Sequence, residues 1–144
     1  MDIGDFPQQP RVEKVDRHIR VAFNGLEIAE TTDAYWVLQA HRPPEYYLPR
    51  SSFKVPLTPT GYRPPCEWKG QSTHYAIIGP DGCVIANRAW SYETPNPLYK
   101  AIQGYVSFYA RPWQCYVDGE RVVPQRSDLH GGWVTSEIIG AEDS

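Results

Sequence analysis

The sequence predicts a small, single-domain protein of mainly β structure (α+β), built on an antiparallel β-sheet with one short helix. Its 144 residues suit one domain with one hydrophobic core. Fourteen prolines oppose long helices, and ten tyrosines with five tryptophans favour pleated, half-buried surfaces. Together these features indicate short strands joined by rigid turns.

The first predicted hairpin has the strongest local signal in the chain. Apolar and polar side chains alternate over residues 19–23 and again over residues 26–28, with Asn24-Gly25 between them. A two-residue type I′ turn needs a positive φ at both central positions, and Asn-Gly adopts this conformation readily. We therefore expect two antiparallel strands joined at this pair.

Two more hairpins are predicted by turn signals of the same kind. One joins residues 75–78 to residues 83–86 across Gly79-Pro80-Asp81-Gly82, a cluster of turn-forming residues. The other joins residues 115–117 to residues 121–123 across Asp118-Gly119.

Between the first two hairpins lie a strand and a proline-rich segment. Residues 34–38 form a compact apolar run that suits a buried strand. Residues 41–65 contain seven prolines, so the extended pieces 46–48 and 52–55 are expected to be short or to lie at sheet edges.

One helix is predicted near residues 97–109. Asn96 can cap its first turn and Pro97 suits its first position. Apolar residues then recur at spacings of four, three and four, namely Leu98, Ile102, Tyr105 and Tyr109. Gly104 weakens the interior of this helix.

The two ends of the chain differ in composition from its middle. Residues 1–17 are polar and contain prolines, so we expect a flexible N-terminal lead-in with order beginning near His18. Residues 18–124 form the single β-rich domain. Residues 125–144, with Gly131-Gly132 and an acidic end, are expected to be a peripheral C-terminal tail.

Charge and cysteine content limit the possible partners and location. A net charge of −3 and a pI near 5.8 provide no basic field for nucleic acid. The first residues lack the basic start and apolar run of a secretory signal, and no segment is long and apolar enough for a membrane span. Three widely spaced cysteines do not resemble a disulfide framework. We expect a cytoplasmic protein with reduced thiols, no nucleic-acid or membrane partner and no cofactor.

Four motifs stand out along the chain, and they are His41-Arg42-Pro43-Pro44-Glu45-Tyr46-Tyr47-Leu48-Pro49-Arg50, Cys66-Glu67-Trp68-Lys69-Gly70, Ala89-Trp90-Ser91-Tyr92 and Ile102-Gln103-Gly104-Tyr105-Val106-Ser107-Phe108-Tyr109. In this order they resemble the domain of unknown function 427 family, and the resemblance covers roughly residues 18 to 124. The resemblance implies a small mainly β domain with no established substrate. It also implies a fold similar in outline to tent-like barrels, some of which carry aromatic ligand cages or structural zinc.

A nucleotidyltransferase label has been attached to this family, and the residues of this chain do not support it. Such enzymes place a Gly-Ser pair ahead of two closely spaced aspartates that hold magnesium ions. This chain has neither element. We therefore do not expect nucleotidyl transfer.

Cys66 and Lys69 are the residues that most resemble a catalytic pair. An ammonium near a thiol can lower the thiol pKa and produce a reactive thiolate, with His41 or His74 as base. The alternative is that Cys66 is a buried, inert thiol and that Lys69-Gly70 forms a turn. Cys66, His74, Cys83 and Cys115 could in principle converge on a zinc ion, but their spacing lacks the paired ligands of structural zinc sites. We therefore predict no metal site.

Aromatic residues in loop-rich segments form the most informative set, and they are Tyr46, Tyr47, Trp68, Trp90 and Tyr92. Flat aromatic walls with a few polar groups suit a small-ligand pocket that favours cations or planar amides. The same residues could instead be ordinary core. Lys69 and Arg50 would orient the ligand, and His41, Arg42 and Arg50 could hold an anionic group.

Three functions therefore remain open. The leading hypothesis is a non-enzymatic module that binds a small molecule in the aromatic pocket, with Trp36 in the core and Trp90 as a pocket wall. The second is a small enzyme with Cys66 as nucleophile. The third is a self-associating structural or interaction protein whose exposed strand edges pair in a homodimer.

Overall fold

The computed structural model describes residues 1–124 and 131–140. Within them, fifteen short strands, β1 to β15 in chain order, alternate with three 3₁₀ helices. The strands are Arg11–Lys14, Ile19–Phe23, Leu26–Thr31, Tyr35–Gln39, Arg42–Leu48, Thr58–Pro59, Pro65–Cys66, Gly70–Gln71, Thr73–Ile78, Val84–Ser91, Val106–Phe108, Gln114–Val117, Glu120–Arg121, Val123–Pro124 and Trp133–Val134. The 3₁₀ helices are Ile3–Asp5, Arg50–Ser52 and Pro97–Ile102.

A seven-stranded antiparallel sheet forms the centre of the fold, in the order β1-β4-β5-β11-β10-β9-β6. A four-stranded sheet, β13-β12-β2-β3, packs against one of its faces. Strands β14 with β15 and β7 with β8 form two small ribbons. The prediction of a mainly β fold made of antiparallel sheets is confirmed. In the described residues, both large sheets keep free edges rather than closing into a barrel.

The central sheet has one face in the main core and one face toward a second apolar cluster. Successive residues of a strand point to opposite faces, and Tyr46 and Tyr47 in β5 show this directly. Tyr46 lies in the main core, where its ring stacks on Trp133. Tyr47 lies in the second cluster with Trp90 and Tyr92. The second face carries the candidate site.

The three predicted hairpins are confirmed. Phe23 pairs with Leu26, and Asn24 and Gly25 have φ angles of 47° and 88°, as a type I′ turn requires. Strands β9 and β10 form the second hairpin, and β12 with β13 form the third. The predicted strand at residues 34–38 corresponds to β4.

Strand β5 differs from the expectation that the extended piece at residues 46–48 is short or lies at a sheet edge. It is an interior strand of seven residues between β4 and β11. Pro43 and Pro44 are tolerated because they lie in a bulge, where the pairing with β4 shifts between Val37 and Gln39. Pairing with β11 uses only Tyr47 and Leu48, beyond the prolines.

The predicted helix over residues 97–109 is wrong in length and type. The Asn96 side chain does accept the backbone N–H of Leu98 at 3.3 Å, but the helix is a 3₁₀ helix that ends at Ile102. Gly104 then turns the chain with a φ of 74°. Residues Val106–Phe108 form a strand because β10 and β5 both offer backbone partners to them, and this pairing overrides the helical spacing.

Both ends of the chain contribute to the fold, contrary to the expected lead-in and tail. Strand β1 pairs with β4 along its whole length, so regular structure begins well before His18. Ile3 is buried in the main core. At the other end, Trp133 is fully buried and its indole N–H donates to the Phe108 carbonyl at 2.9 Å. The rest of the predicted tail, residues 125–130 and 141–144, lies outside the described residues.

Across the described part of the chain, none of the helices has the length and apolar character that a membrane span requires.

Candidate functional site

A cleft of about 370 Å³ opens on the second face of the central sheet. Its walls come from the ends of β4 and β5, from β9 and β10, and from the loop that carries β7. The lining residues are Gln39, Arg42, Glu45, Tyr62, Pro64, Pro65, Cys66, Glu67, Trp68, Ser72, His74, Trp90, Tyr92, Tyr109 and Gly131.

The aromatic wall is a consequence of strand register. Tyr47, Ser107, Trp90 and His74 are direct partners across β5, β11, β10 and β9, so their side chains share one face of the sheet. Ser107 is small, and its position leaves room for the large rings on each side. Trp90 meets Tyr47 edge-on at 6.3 Å and stacks on His74 at 6.1 Å between ring centroids. Strand pairing therefore holds these aromatic side chains in position without a ligand.

His74 is a buried, polar member of this wall. Its side chain lies between Trp90 and Tyr62, and its Nδ1 is 3.4 Å from the Ser72 hydroxyl. Burial lowers its pKa, although a hydrogen bond to the Tyr62 backbone opposes this effect. The imidazole therefore stays neutral at physiological pH.

Trp68 and Cys66 come from the loop that covers the outer part of the cleft. Cys66 in β7 pairs with Gly70 in β8, and Trp68 lies in the turn between these strands. Trp68 is half-buried and packs against the second cluster. The Cys66 thiol lies beside the Tyr92 hydroxyl, whose pKa is strongly raised by burial and then by the charge of Glu45. This phenol stays protonated.

Glu45 and Lys69 form a buried charge pair at the inner end of the cleft. Lys69 is only 4% exposed, and its Nζ lies 3.5 Å from Glu45 Oε1. The same carboxylate oxygen accepts the Tyr47 hydroxyl at 2.8 Å. Burial and the nearby Glu45 charge raise the pKa of Tyr47 well above its ordinary value, so Tyr47 remains a donor. The Lys69 ammonium also lies 5.8 Å from the centre of the Tyr92 ring.

Arg42 and Gln39 lie on the same side of the cleft. They are paired in register at the start of β5 and the end of β4. Both side chains line the main cleft and a smaller adjoining cavity. The Arg42 guanidinium makes no ion pair with any residue in the described ranges.

The structure brings part of the predicted aromatic set together. Trp68, Trp90 and Tyr92 line the cleft, Tyr47 lies behind it in the same cluster, and Lys69 lies at its inner end. Trp90 lines the cleft, but it is only 5% exposed, close to the 7% of Trp36. Both tryptophans are therefore expected to behave as core residues when truncated.

Three predicted site residues lie outside the cleft. Tyr46 points to the opposite face of the sheet because it precedes Tyr47 by one position in β5. His41 is exposed in the turn between β4 and β5 with a φ of 66°, so it is not placed to serve Cys66 as a base. Arg50 lies at the far end of β5 and is held by the Gly104 carbonyl and the Glu93 carboxylate.

Arg50 belongs to a polar network that fixes the fold rather than lining a cavity. Its guanidinium contacts the Tyr75 hydroxyl and Glu93, and the Tyr75 hydroxyl also donates to Glu93 at 2.7 Å. Burial would raise the pKa of Glu93, but hydrogen bonds from Tyr75, Ser91 and Arg50 outweigh it and lower the pKa overall. The carboxylate is therefore charged and fully engaged at neutral pH.

The four residues considered as zinc ligands do not converge. Cys66 and His74 line the cleft, but Cys115 is buried in the main core and Cys83 is exposed near the tip of the second hairpin. Burial strongly raises the pKa of Cys115, and the Asp81 side chain raises that of Cys83. In the described ranges no three histidine, cysteine or acidic side chains form a group that could hold a metal ion.

Several lining residues were missed by sequence analysis, namely Gln39, Glu45, Tyr62, Ser72, Tyr109 and Gly131. Glu45 could have been predicted from the sequence, because it is two positions from Tyr47 in a strand and so lies on the same face. Gly131 gave no signal, since its contact with Trp90 joins residues 41 positions apart.

The fold and this cleft define a small antiparallel β domain with an aromatic cleft on one sheet face. A family model described as Domain of unknown function (DUF427) matches residues 11–122. The chain therefore belongs to that family, as its motifs predicted. No curated protein matches the chain.

Proposed function

We propose that this protein is a small-molecule-binding module that holds a planar ligand in the cleft beside Trp68, Trp90 and Tyr92. The observation that carries the proposal is the cleft itself, whose volume of about 370 Å³ lies in the range of small-molecule sites. Its aromatic walls suit stacking on a flat ring.

The walls of the cleft support binding because they are already in place. Trp90 is fixed by Tyr47, His74 and Tyr109, and rings held in this way lose little conformational freedom when a ligand arrives. Trp68 differs, because it packs on the second cluster but is only half-buried. A flat ligand would cover the part of this side chain that is still exposed.

The binding module accounts for the contacts better than a cysteine enzyme does. Lys69, the proposed activator of Cys66, is directed to Glu45 and to the ring of Tyr92. His41, the first candidate base, lies outside the cleft lining. Among the described histidines, His74 alone lines the cleft together with Cys66.

The proposal is tested by titrating the protein with three compounds that share one ring, namely benzoate, benzamide and benzylamine, while tryptophan emission is recorded. At least one of them is expected to change the emission saturably. Trp68→Ala should weaken that binding about tenfold, because base-like stacking on one aromatic side chain contributes about 1–3 kcal/mol.

The matched control is Tyr116→Ala. Tyr116 has intermediate exposure and lies on the four-stranded sheet, where the Arg20 guanidinium covers its ring. Its truncation should leave binding unchanged. Absence of binding by all three compounds, or equal loss in both variants, contradicts the proposal.

A further inference from the structure

We propose that the inner end of the cleft binds a carboxylate, so that the ligand is a planar molecule bearing a carboxylic acid. This inference rests on the proposed function, and it specifies the chemical class of the ligand. It follows from the charges that surround a small cavity where the cleft ends.

This inner cavity has a volume of about 10 Å³, enough for one water-sized group. Arg42, Glu45 and Lys69 line it, and Arg42 and Glu45 also line the main cleft. The two spaces therefore meet at these side chains. Among the described residues, two cationic groups and one carboxylate line the inner cavity, which leaves one positive charge of this set without a counter-charge.

The Lys69 ammonium is incompletely neutralised by the protein. It can donate three hydrogen bonds, and its one ion-pair partner in the described residues is Glu45 Oε1, 3.5 Å away. That oxygen is shared with the Tyr47 hydroxyl at 2.8 Å. A charge that is only 4% exposed is costly unless further acceptors reach it.

The Arg42 guanidinium is the second unfilled donor group. It makes no hydrogen bond or ion pair with a side chain of the described residues. Its planar fork matches the two oxygens of a carboxylate. An acceptor placed between Arg42 and Lys69 would fill donors on both.

The same charges exclude other ligand groups. Among the described residues of the inner end, an ammonium would meet two cations and one carboxylate, which Lys69 and Tyr47 already share. A phosphate dianion would bring one negative charge more than these groups balance, and Glu45 would repel it. A carboxylate carries the single negative charge that balances the site, and it extends in the plane of a ring held beside Trp68 and Trp90. The charges thus favour an acid over the cations and amides expected from the aromatic set alone.

Benzoate, benzamide and benzylamine separate these possibilities, because they present a carboxylate, an amide and an ammonium on one ring. Benzoate should bind the wild-type protein at least about tenfold more tightly than either of the others, the effect expected of hydrogen bonds to charged groups. This preference is measured on the unmodified protein and does not depend on the folding of a variant.

Two arginine variants test whether Arg42 causes the preference for benzoate. Arg42→Gln should weaken benzoate about tenfold and change benzamide binding less than twofold. Arg20→Gln is the matched control, because Arg20 lies on the four-stranded sheet and pairs with Glu27. It should change neither affinity.

The outcomes distinguish this inference from the proposed function. If benzamide or benzylamine binds as tightly as benzoate and Trp68→Ala still weakens that binding, the carboxylate site is wrong and the binding module stands. If Arg42→Gln weakens benzoate and benzamide equally, the carboxylate assignment is also wrong. If none of the three compounds binds, both proposals are wrong.

Discussion

Gly131 lies directly against the Trp90 ring in the wall of the cleft. A Cβ atom at position 131 would lie 2.1 Å from Cη2 of Trp90, far inside van der Waals distance. Trp90 cannot retreat freely, because Tyr47, His74 and Tyr109 surround its ring. The absence of a side chain at Gly131 therefore sets the position of the Trp90 ring.

Gly131→Ala is expected to displace Trp90 and reshape the cleft. The substitution should cost about 1–3 kcal/mol of stability, as overpacking does, and should weaken the tightest-binding of the three test compounds. Chemical denaturation and tryptophan emission measure both effects. Gly4→Ala is the control, since the nearest described atom to its added Cβ would be Oδ1 of the exposed Asp2, at 3.2 Å rather than 2.1 Å. Equal changes in stability and in compound binding in the two variants would contradict the close approach of Gly131 to Trp90.

Residue identity alone could not assign side chains to the site. Tyr46 and Tyr47 are chemically equivalent neighbours, yet they lie on opposite faces of the sheet. Sequence patterns show that the two side chains must point to opposite faces of the sheet, but they do not show which face carries the cleft. Lys69 was expected to act on Cys66, but its ion-pair partner is Glu45.

At the scale of single elements, the β-hairpins depend on their turns. The first hairpin turns at Asn24 and Gly25, with φ angles of 47° and 88°. No atom lies within 4 Å of a Cβ built at Gly25. Any cost of substitution there would reflect backbone conformation rather than packing.

Gly25→Val is expected to destabilise the protein by about 1–3 kcal/mol, because a β-branched residue resists a positive φ. Gly25→Asn should cost less, since asparagine tolerates this region. The free energies of unfolding from chemical denaturation provide the comparison. Unchanged stability in the valine variant would mean that the strand-turn-strand assignment is wrong.

Elements with local signals were predicted well, and elements that depend on distant partners were not. Two-residue turns such as Asn24-Gly25 and Asp118-Gly119 determine their hairpins within a few residues. Strand β11 has only three residues, and its conformation depends on pairing with β5 and β10 on either side. The helical spacing of residues 98–109 was therefore overridden by tertiary contacts.

At the scale of the whole molecule, the two faces of the central sheet have different roles. One face stabilises the fold, and the other carries the proposed binding site. One face packs on the four-stranded sheet and forms the main core. The other face carries the cluster of Tyr47, Trp90 and Tyr92 beside the cleft. The family and the antiparallel β class were predictable from motifs and turns. The contributions of Ile3 and Trp133 to the core were not, because they join the two ends of the chain to residues distant in sequence.

The five tryptophans provide built-in reporters for the central claim that the cleft binds a small molecule. Trp68 and Trp90 line the cleft. Trp113 and Trp133 lie in the main core, where their indole N–H groups donate to the carbonyls of Arg88 and Phe108.

The most direct measurement follows the indole N–H resonances in two-dimensional NMR spectra of the ¹⁵N-labelled protein during titration with benzoate, benzamide and benzylamine. Single tryptophan-to-phenylalanine variants assign the signals. With a compound that binds, the resonances of Trp68 and Trp90 should shift saturably while those of Trp113 and Trp133 stay in place. Shifts confined to Trp113 and Trp133, or no saturable shift with any of the three compounds, would contradict the account.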